Sequence, residues 1–354
     1  MVLKQWIIEF KENFKMTYSR RQFGKLAAIG LPIAATAISH PGFLFAGGKP
    51  NSKFSGVQVG VITAYSYHNM PNDIDSIFTY MVRDGISATE MECPMQETWA
   101  GAPAPPPRPQ IPGSAGAVLG PQVGAPRTRP QISPEQVAIQ KAHAEAMTKW
   151  RTTMDINKYV ELRKKFSDAG IRIYGFKLGL NNNMPDAEWD YAFNAAKACG
   201  TDQLTMEMPD GDSALTAKIG KFAEKHQLMV GYHAHLQAKP DTWDEAMSQS
   251  AWNGINLDIG HYTAAGNKDA IEFIKKNHAR ITSMHLKDRK FPENGGQNMP
   301  WGQGDTPIVQ ALQLMKKEGY KFPATIELEY APPAGSDSEK EVVKCLAYAK
   351  AALA

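Results

Sequence analysis

The sequence predicts an α/β fold, a single-domain (β/α)8 barrel of the TIM-barrel type over residues 57–354. Short runs rich in β-branched residues alternate with helical patterns from Val57 onward, which is typical of βαβ units and a parallel sheet. Eight such runs in one chain favour a closed barrel over an open sheet. With 43% hydrophobic and 21% charged residues, the 354-residue chain can bury a core of that size.

The predicted strands are short, and most are followed by a helical pattern. They cover residues 57–64, 87–92, 172–177, 203–208, 228–233, 255–259, 281–286 and 324–328. Four of the helices carry apolar residues at helical spacing, and three of these end next to a glycine suited to a left-handed cap. These helices cover 154–169, 187–199, 268–277 and 306–318, and the caps are Gly170, Gly200 and Gly319.

Residues 101–134 interrupt the alternation after the second strand. They hold ten of the 24 prolines, together with many glycines and alanines. Because neither helix nor sheet tolerates this composition, the segment is predicted to form a long loop over the barrel mouth. A domain linker is the alternative, although it would separate a piece too small to fold alone.

The N-terminal residues 1–46 have the features of a twin-arginine export leader, and 47–56 are predicted to be a linker. Paired Arg20 and Arg21 precede an apolar stretch over 26–38 that is too short for a permanent membrane anchor. A basic start on a membrane anchor is the alternative. Because the twin-arginine route carries folded proteins, we expect a periplasmic protein that meets the export machinery with its cofactor loaded.

Charge and cysteine content narrow the class of protein further. The formal charge of +3 arises from 39 basic and 36 acidic residues, and several basic ones lie in the leader. The mature body is therefore close to neutral, which gives no electrostatic case for nucleic acid. Cys93, Cys199 and Cys345 are too scattered for a disulfide framework or a thiolate metal motif, so we expect ordinary buried residues. One disulfide remains open.

Ionisable residues follow the ends of five successive predicted strands, the fourth to the eighth. The carboxyl ends of parallel barrel strands meet at one mouth, where catalytic groups collect. Side chains two residues apart share a face of a strand, so several of these groups point the same way. In chain order they are Glu207, His233, His235, Asp258, His261, His285, Lys287, Glu327 and Glu329.

This concentration of charge indicates one divalent metal ion. Burying even one unpaired ion costs several kcal/mol, and a cation would offset the repulsion. Imidazole and carboxylate ligands without a thiolate suit Mn, Co, Fe, Ni, Zn or Mg, and the sequence does not choose among them. A bound metal acidifies the carbon beside a carbonyl, which permits isomerisation, epimerisation, elimination or hydration. A single strand-end His or carboxylate, by contrast, is more often structural.

The motifs at these strand ends resemble the xylose isomerase-like barrel superfamily of sugar phosphate isomerases and epimerases. Each motif is weak alone, and their order and spacing together are fairly specific. Weaker similarity extends over 168–177 and 90–103. The motifs are Tyr-His-Ala-His at 232–235, Leu-Asp-Ile-Gly-His at 257–261, His-Leu-Lys-Asp at 285–288, and Gly319-Tyr320 eight residues before Glu327.

The resemblance implies a divalent metal held by residues from strands five to eight. Asp258, His285 and Glu327 match three of the family's ligands. Many members have Glu at the strand-five position, whereas this chain has His233. In this respect it resembles the branch of inosose dehydratase and keto-sugar lyases or hydratases. Because one of the two opposed bases of a simple epimerase is missing, Glu207 is predicted to act as the base or as an additional ligand.

The resemblance also implies roles for the other polar residues of the mouth. Besides Glu327 and Glu207, the predicted catalytic residues are Lys287 and His261, which would polarise oxygen or relay protons. Trp301 lies in a flexible segment before a helix, where a turn with a surface aromatic is the alternative. The residues predicted to hold substrate hydroxyls are Glu90, Lys177, His235, Glu329 and Trp301.

The predicted function is that of a metal-dependent sugar isomerase or epimerase acting by proton transfer next to a carbonyl through an enediolate. A lyase or hydratase on 3-keto-sugars or keto-glycosides is one alternative, and a non-catalytic periplasmic carbohydrate-binding protein is another. An endonuclease for damaged DNA is disfavoured because it would need His ligands where this chain has Glu90, Glu92 and Lys177. The expected partner is a small sugar or keto-sugar, with no nucleic acid and no permanent membrane anchor. The oligomeric state stays open.

Overall fold

The computed structural model describes residues 48–106 and 133–354, in which eight parallel strands close into a barrel. Each strand pairs with the next in chain order, and the last pairs with the first, so the barrel has no open edge. The predicted (β/α)8 barrel is confirmed. The strands are β1 (Val57–Ile62), β2 (Ala88–Glu92), β3 (Arg172–Lys177), β4 (Gln203–Glu207), β5 (Met229–His233), β6 (Asn253–Asp258), β7 (Ile281–Leu286) and β8 (Ala324–Ile326).

Eleven helices of the described residues accompany these strands. The glycines predicted as left-handed caps, Gly170, Gly200 and Gly319, have φ values of 87°, 72° and 68°. The helices are α1 (Ile74–Asp84), α2 (Met95–Trp99), α3 (Pro134–Thr153), α4 (Asn157–Asp168), α5 (Asp186–Ala198), α6 (Ser213–His226), α7 (Asp244–Gln249), α8 (Ile259–Ala264), α9 (Ala270–Asn277), α10 (Ile308–Glu318) and α11 (Ser338–Ala352).

The observed element bounds differ from the predicted ones where polar residues are buried or the backbone turns. β6 begins at Asn253 instead of residue 255. The Asn253 amide is buried and donates to the carbonyl oxygens of Thr216 and Ala246 at 3.2 and 2.7 Å, so a polar residue continues the strand. The helix predicted over 154–169 begins only at Asn157, because the extended Met154 ends α3.

The residues predicted as a linker, 47–56, are structured from residue 48 and extend the barrel sheet. Lys53–Phe54 pairs antiparallel with β1 through a tight turn at Ser55 and Gly56, whose φ values are 47° and 88°. The predicted leader over 1–46 and most of the predicted loop, residues 107–132, lie outside the described residues. Over the described ranges, every helix is too short or too polar to cross a membrane.

The three cysteines carry no disulfide. Cys199 and Cys345 are buried, as expected, whereas Cys93 is partly exposed. Burial raises the pKa of each thiol, so these groups are protonated at neutral pH.

A buried carboxyl group lies where α1 packs near the start of α11. Asp84, the last residue of α1, is 1% exposed and accepts a hydrogen bond from the Tyr67 hydroxyl at 3.0 Å. Its other oxygen, Oδ1, has no hydrogen-bond partner. Burial, followed by the charge of Glu339, raises the pKa of Asp84 to about 8. Asp84 is therefore largely protonated in the folded protein at neutral pH.

We expect Asp84→Asn to stabilise the protein at pH 8 but not at pH 4. Between its unfolded pKa, near 3.8, and about 8, Asp84 holds a proton in the folded state that it loses on unfolding. Wild-type stability therefore falls as pH rises through this window, by roughly 1 kcal/mol per pH unit from this group. The neutral amide has no such dependence. Urea unfolding of both proteins at pH 4, 6 and 8 measures the difference, and a difference in unfolding free energy that does not change with pH would contradict the assignment.

Candidate active site

Four potential metal ligands meet at the mouth of the barrel, as the sequence predicts. His233 and Asp258 end β5 and β6, His285 lies near the end of β7, and Glu327 directly follows β8. All four are buried, with exposed fractions of 1%, 1%, 0% and 4%. Each offers one donor atom, and these atoms lie within 4.8 Å of one another. We call these residues the four-ligand group.

Lys287 neutralises part of the negative charge beside this group. Its Nζ lies 3.0 Å from Asp258 Oδ2, 3.2 Å from Glu327 Oε2 and 2.9 Å from Glu329 Oε2. Burial opposes the charge of Lys287, but the three carboxylates outweigh it and raise its pKa. One ammonium faces three carboxylates, so negative charge remains in excess here.

His285 lies between two carboxylates. Its Nε2 is 2.8 Å from Glu90 Oε2 and its Nδ1 is 2.7 Å from Glu327 Oε2. Burial opposes a charge on the imidazole, but Glu90 and Glu327 raise the pKa of His285 to about 10. The imidazole is therefore protonated at neutral pH.

Glu90, predicted to hold a substrate hydroxyl, lies instead beneath the four-ligand group. It is completely buried, and it accepts hydrogen bonds from Thr205 Oγ1 at 2.6 Å and from Asn256 Nδ2 at 3.1 Å, besides its contact with His285. A Cβ at Gly175 would lie 3.0 Å from Glu90 Cγ, so a glycine on β3 leaves room for this carboxylate. Glu90 is therefore placed to orient His285, not to face substrate.

The four-ligand group fits one divalent metal ion on three counts. Donors that share an ion at about 2.0–2.2 Å lie roughly 4 Å apart or less, close to the spacing seen here. Asp258 Oδ2 accepts no hydrogen bond despite its ion pair with Lys287, and burial raises the pKa of this carboxyl to about 6. Burial, and after it the positive charge of His285, lowers the pKa of His233, so the His233 imidazole is neutral. A cation would replace the proton of His285.

A second group, His233, His235 and His261, also brings nitrogen atoms within 4.8 Å of one another. It contains no carboxylate, and both ring nitrogens of His261 are engaged. His261 Nε2 is 3.0 Å from Lys287 Nζ, and its Nδ1 is 2.7 Å from Arg289 Nη1. The four-ligand group is therefore the better metal candidate. His261 and Lys287 are in hydrogen-bond contact, as a pair that relays protons would need to be.

Three polar side chains form the rim of the mouth above the buried group. Lys177 Nζ lies 2.8 Å from Glu207 Oε1, and His235 Nε2 lies 3.6 Å from Glu207 Oε2. The Glu207 and His235 side chains are 49% and 38% exposed, so solutes can reach both. Within the described residues, neither set of clustered donor atoms includes Glu207, which lies on the rim beside them, so its role as an additional ligand stays a prediction.

Trp301, predicted to hold substrate, is instead buried. It is 4% exposed, and its ring packs edge-on against Tyr348 of α11 at 5.8 Å between centroids. The segment around it is ordered because the buried Asp288 carboxylate accepts hydrogen bonds from the backbone N–H groups of Gly302 and Gly304, both at 2.8 Å. Trp301 therefore offers no open face for a sugar. Glu329 is buried as well, and its carboxylate forms an ion pair with Lys287.

Several polar residues of the site received no role in it from the sequence. Glu92 follows Glu90 by two positions on β2, and this spacing on one strand face was the available signal. Thr205 and Asn256 look like ordinary strand residues, and only the folded barrel shows that they contact Glu90. Arg289 is buried beside His261, directly after the Lys-Asp pair that ends the β7 motif.

We expect Glu90→Gln to weaken binding of Mn²⁺ or Zn²⁺ by about 10- to 100-fold, because carboxylates that orient metal-binding His residues contribute that much. Thr205→Val is the matched control, since it removes one hydrogen bond to Glu90 but keeps the contact between the Glu90 carboxylate and His285. Isothermal titration of both variants with each metal, with folding checked by circular dichroism, measures the effect. Equal affinities for wild type and Glu90→Gln would show that Glu90 does not support the ligand.

Comparison with known proteins places this barrel in a family. Residues 141–349 match the family described as xylose isomerase-like TIM barrel. Among solved structures, a xylose isomerase domain protein from Planctomyces limnophilus has 15% identity and a TM-score of 0.53, over 82% of this chain and 95% of that one. A sugar phosphate isomerase/epimerase from Parabacteroides distasonis has 17% identity and a TM-score of 0.51, over 84% and 94%.

A third structure, 3-keto-D-glucoside 4-epimerase from E. coli, has 10% identity and a TM-score of 0.51, over 82% of this chain and 99% of that one. At such identities the likeness shows a shared fold alone. Sequence comparison with curated proteins gives no significant match. Because the family pattern spans more than half of the chain and the eight-stranded barrel agrees with it, the protein belongs to the xylose isomerase-like TIM barrel family.

Proposed function

We propose that the protein is a divalent-metal-dependent enzyme that moves a proton at the carbon next to the carbonyl of a sugar or keto-sugar, as an isomerase or epimerase. The observation that carries this proposal is the four-ligand group, which gathers two imidazoles and two carboxylates at the barrel mouth. Family membership supports it, because in barrels of this kind the catalytic groups collect at that mouth.

His233, Asp258, His285 and Glu327 would hold the metal, which when bound polarises a carbonyl and acidifies the neighbouring carbon. Lys287 keeps a positive charge beside this group, and although its N–H groups are held by carboxylates, that charge favours a substrate oxygen that gains negative charge nearby.

The rim supplies a group that can accept a proton. Burial, partly opposed by the charge of Glu207, lowers the pKa of His235, so its imidazole is neutral at pH 7. It is partly exposed and lies 3.6 Å from Glu207, which can orient the imidazole and stabilise it once protonated. In this proposal His235 and Glu207 share the task of the base that strand five lacks.

Elimination or hydration on 3-keto-sugars or keto-glycosides is the second candidate function. It is favoured by His233, because no carboxylate on β5 opposes Glu327 and the two-base arrangement of an epimerase is incomplete. The fold is shared with a probable 3-DHS dehydratase from Bacillus anthracis, at 12% identity and a TM-score of 0.52. This likeness supports the fold, and the reaction assigned here rests on the site.

We also propose that residues 1–46 form a twin-arginine leader and that the enzyme works in the periplasm on a small sugar or keto-sugar. The paired arginines at 20 and 21 before an apolar stretch support this location. A cofactor loaded before export suits that route, since it carries folded cargo.

We expect the Mn²⁺-loaded enzyme in D₂O to introduce deuterium beside the carbonyl of at least one member of a panel of sugars and 3-keto-sugars. Asp258→Asn should lower both bound metal and exchange rate, the latter by roughly 100-fold or more, because a ligand is lost. Asp186→Asn, an exposed substitution on α5, is the control. Mass spectrometry of the sugars and metal analysis of the proteins measure the outcome.

Saturable sugar binding without exchange, whichever metal is added, would contradict this proposal. That result would favour a carbohydrate-binding protein.

A further inference from the structure

Glu92 is a carboxyl group at the mouth for which the protein provides incomplete hydrogen bonding. It ends β2 and pairs in register with Lys177 at the end of β3, so their side chains share the inner face. The Glu92 side chain is 15% exposed, and its Oε1 lies 3.9 Å from Lys177 Nζ. Its Oε2 is buried and accepts no hydrogen bond. An unsatisfied buried oxygen is costly; a substrate hydroxyl could donate to the carboxylate, and an ether oxygen could accept from the protonated carboxyl group.

Lys177 is shared unequally between two carboxylates. Its Nζ is 2.8 Å from Glu207 Oε1 but 3.9 Å from Glu92 Oε1, so the ammonium is held mainly by Glu207. Glu92 is left with a cation close enough to stabilise its ionised form but too far for a hydrogen bond. This arrangement suits a carboxyl group that changes its protonation state during a reaction.

The surroundings of Glu92 favour its protonated form near neutral pH. Burial is the largest cause, Lys177 opposes it, and neighbouring carboxylates add to it, which raises the pKa of Glu92 to about 7. An acid that works at neutral pH needs a pKa near that value. The titratable and charged groups around Glu92 are Tyr65, Glu90, Lys177, Glu207 and Glu327.

We infer that Glu92 is a general acid that protonates the leaving oxygen when the enzyme eliminates an alcohol or water from a 3-keto-glycoside or 3-keto-sugar. This inference rests on the proposed function, in its elimination form. It assigns Glu92 a catalytic role in direct contact with the departing group, next to Lys177.

The step balances without an oxidant or reductant. A base removes the proton from the carbon beside the carbonyl, and the C–H electron pair becomes a C=C bond as the C–O bond to the next carbon breaks. The electron pair of that C–O bond stays on the leaving oxygen, which takes the proton of Glu92. Glu92 becomes a carboxylate beside the Lys177 ammonium, and the products are an unsaturated keto-sugar and an alcohol.

Two substrates that differ only in the leaving group test this role. The full-length, Mn²⁺-loaded wild type and Glu92→Gln are given methyl 3-keto-glucoside and 4-nitrophenyl 3-keto-glucoside. Methanol needs a proton in order to leave, whereas 4-nitrophenolate leaves without one. We expect Glu92→Gln to release methanol at least about 100-fold more slowly but 4-nitrophenol less than tenfold more slowly. Deuterium exchange beside the carbonyl should persist.

Glu207→Gln is the comparison variant, because it removes the other carboxylate from Lys177. We expect it to slow release from both glycosides by a similar factor, since it weakens the base formed by His235 and Glu207, which both substrates need, and leaves the carboxyl group of Glu92 in place. Thermal unfolding of all variants checks folding, and Glu92→Asp, which keeps an acid, should recover part of the methanol release.

The outcomes separate this inference from the proposed function. The general-acid role would be overturned if Glu92→Gln slowed release from both glycosides equally, or slowed neither. It would also be overturned if Glu92→Gln lost deuterium exchange beside the carbonyl. Exchange by the wild type without cleavage of either glycoside would overturn it too, while proton transfer beside the carbonyl stands. If the wild type exchanges no deuterium with any of these substrates, both the inference and the proposed function are contradicted.

Infrared difference spectra give a readout that needs no turnover. The wild type should show a carboxyl group titrating near pH 7 that is missing in Glu92→Gln. A Glu92 that stays ionised from pH 5 to pH 9 would contradict the inference.

Discussion

The hydrogen-bonded line from Glu90 through His285 to Glu327 constrains the rest of the barrel mouth. It places two carboxylates on one imidazole, at 2.8 and 2.7 Å, where no solvent reaches. Charges buried in this way are tolerated only when each has a partner, since a single unpaired ion costs several kcal/mol. Thr205 and Asn256 satisfy the remaining lone pairs of Glu90, so a polar layer replaces the branched apolar side chains that usually fill such barrels.

The charges of the mouth are organised in two levels that differ in exposure. In the buried level, Lys287 is shared by three carboxylates and supports the four-ligand group from one side. At the rim, Lys177 is shared by Glu207 and Glu92, and the side chains of Glu207 and His235 are partly exposed. The buried level is suited to hold an ion in fixed geometry, while the rim is where a sugar can enter and exchange protons.

Local sequence patterns were sufficient to predict the strands and the convergence of His233, Asp258, His285 and Glu327. Strand periodicity and the parallel arrangement place these residues at one mouth whatever else the chain does. The burial of Glu90 could not be predicted, because it depends on side chains of β4, β6 and β7 and on the missing side chain at Gly175.

Two predictions failed for the same reason: Trp301 is buried and does not face the substrate site, and β6 begins at Asn253 instead of residue 255. A glycine-rich segment looks flexible in sequence, but here the buried Asp288 carboxylate binds two of its backbone N–H groups and orders it. An asparagine looks like a strand breaker, but the Asn253 amide donates to two backbone carbonyl groups, one in α6 and one in α7. In both cases a long-range polar contact overrides the local preference of the chain.

His233 on β5 and Glu92 on β2 together determine where negative charge lies at the mouth. A second carboxylate on β5 would add negative charge to a group in which Asp258 and Glu327 already share Lys287. An imidazole there lowers the repulsion and leaves a neutral ligand. Glu92 keeps a carboxyl group in the mouth, but beside Lys177 and away from the ligands. An acid placed in this way suits the elimination form of the proposed function, in which it protonates a departing oxygen, whereas isomerisation or epimerisation would rely on His235 and Glu207.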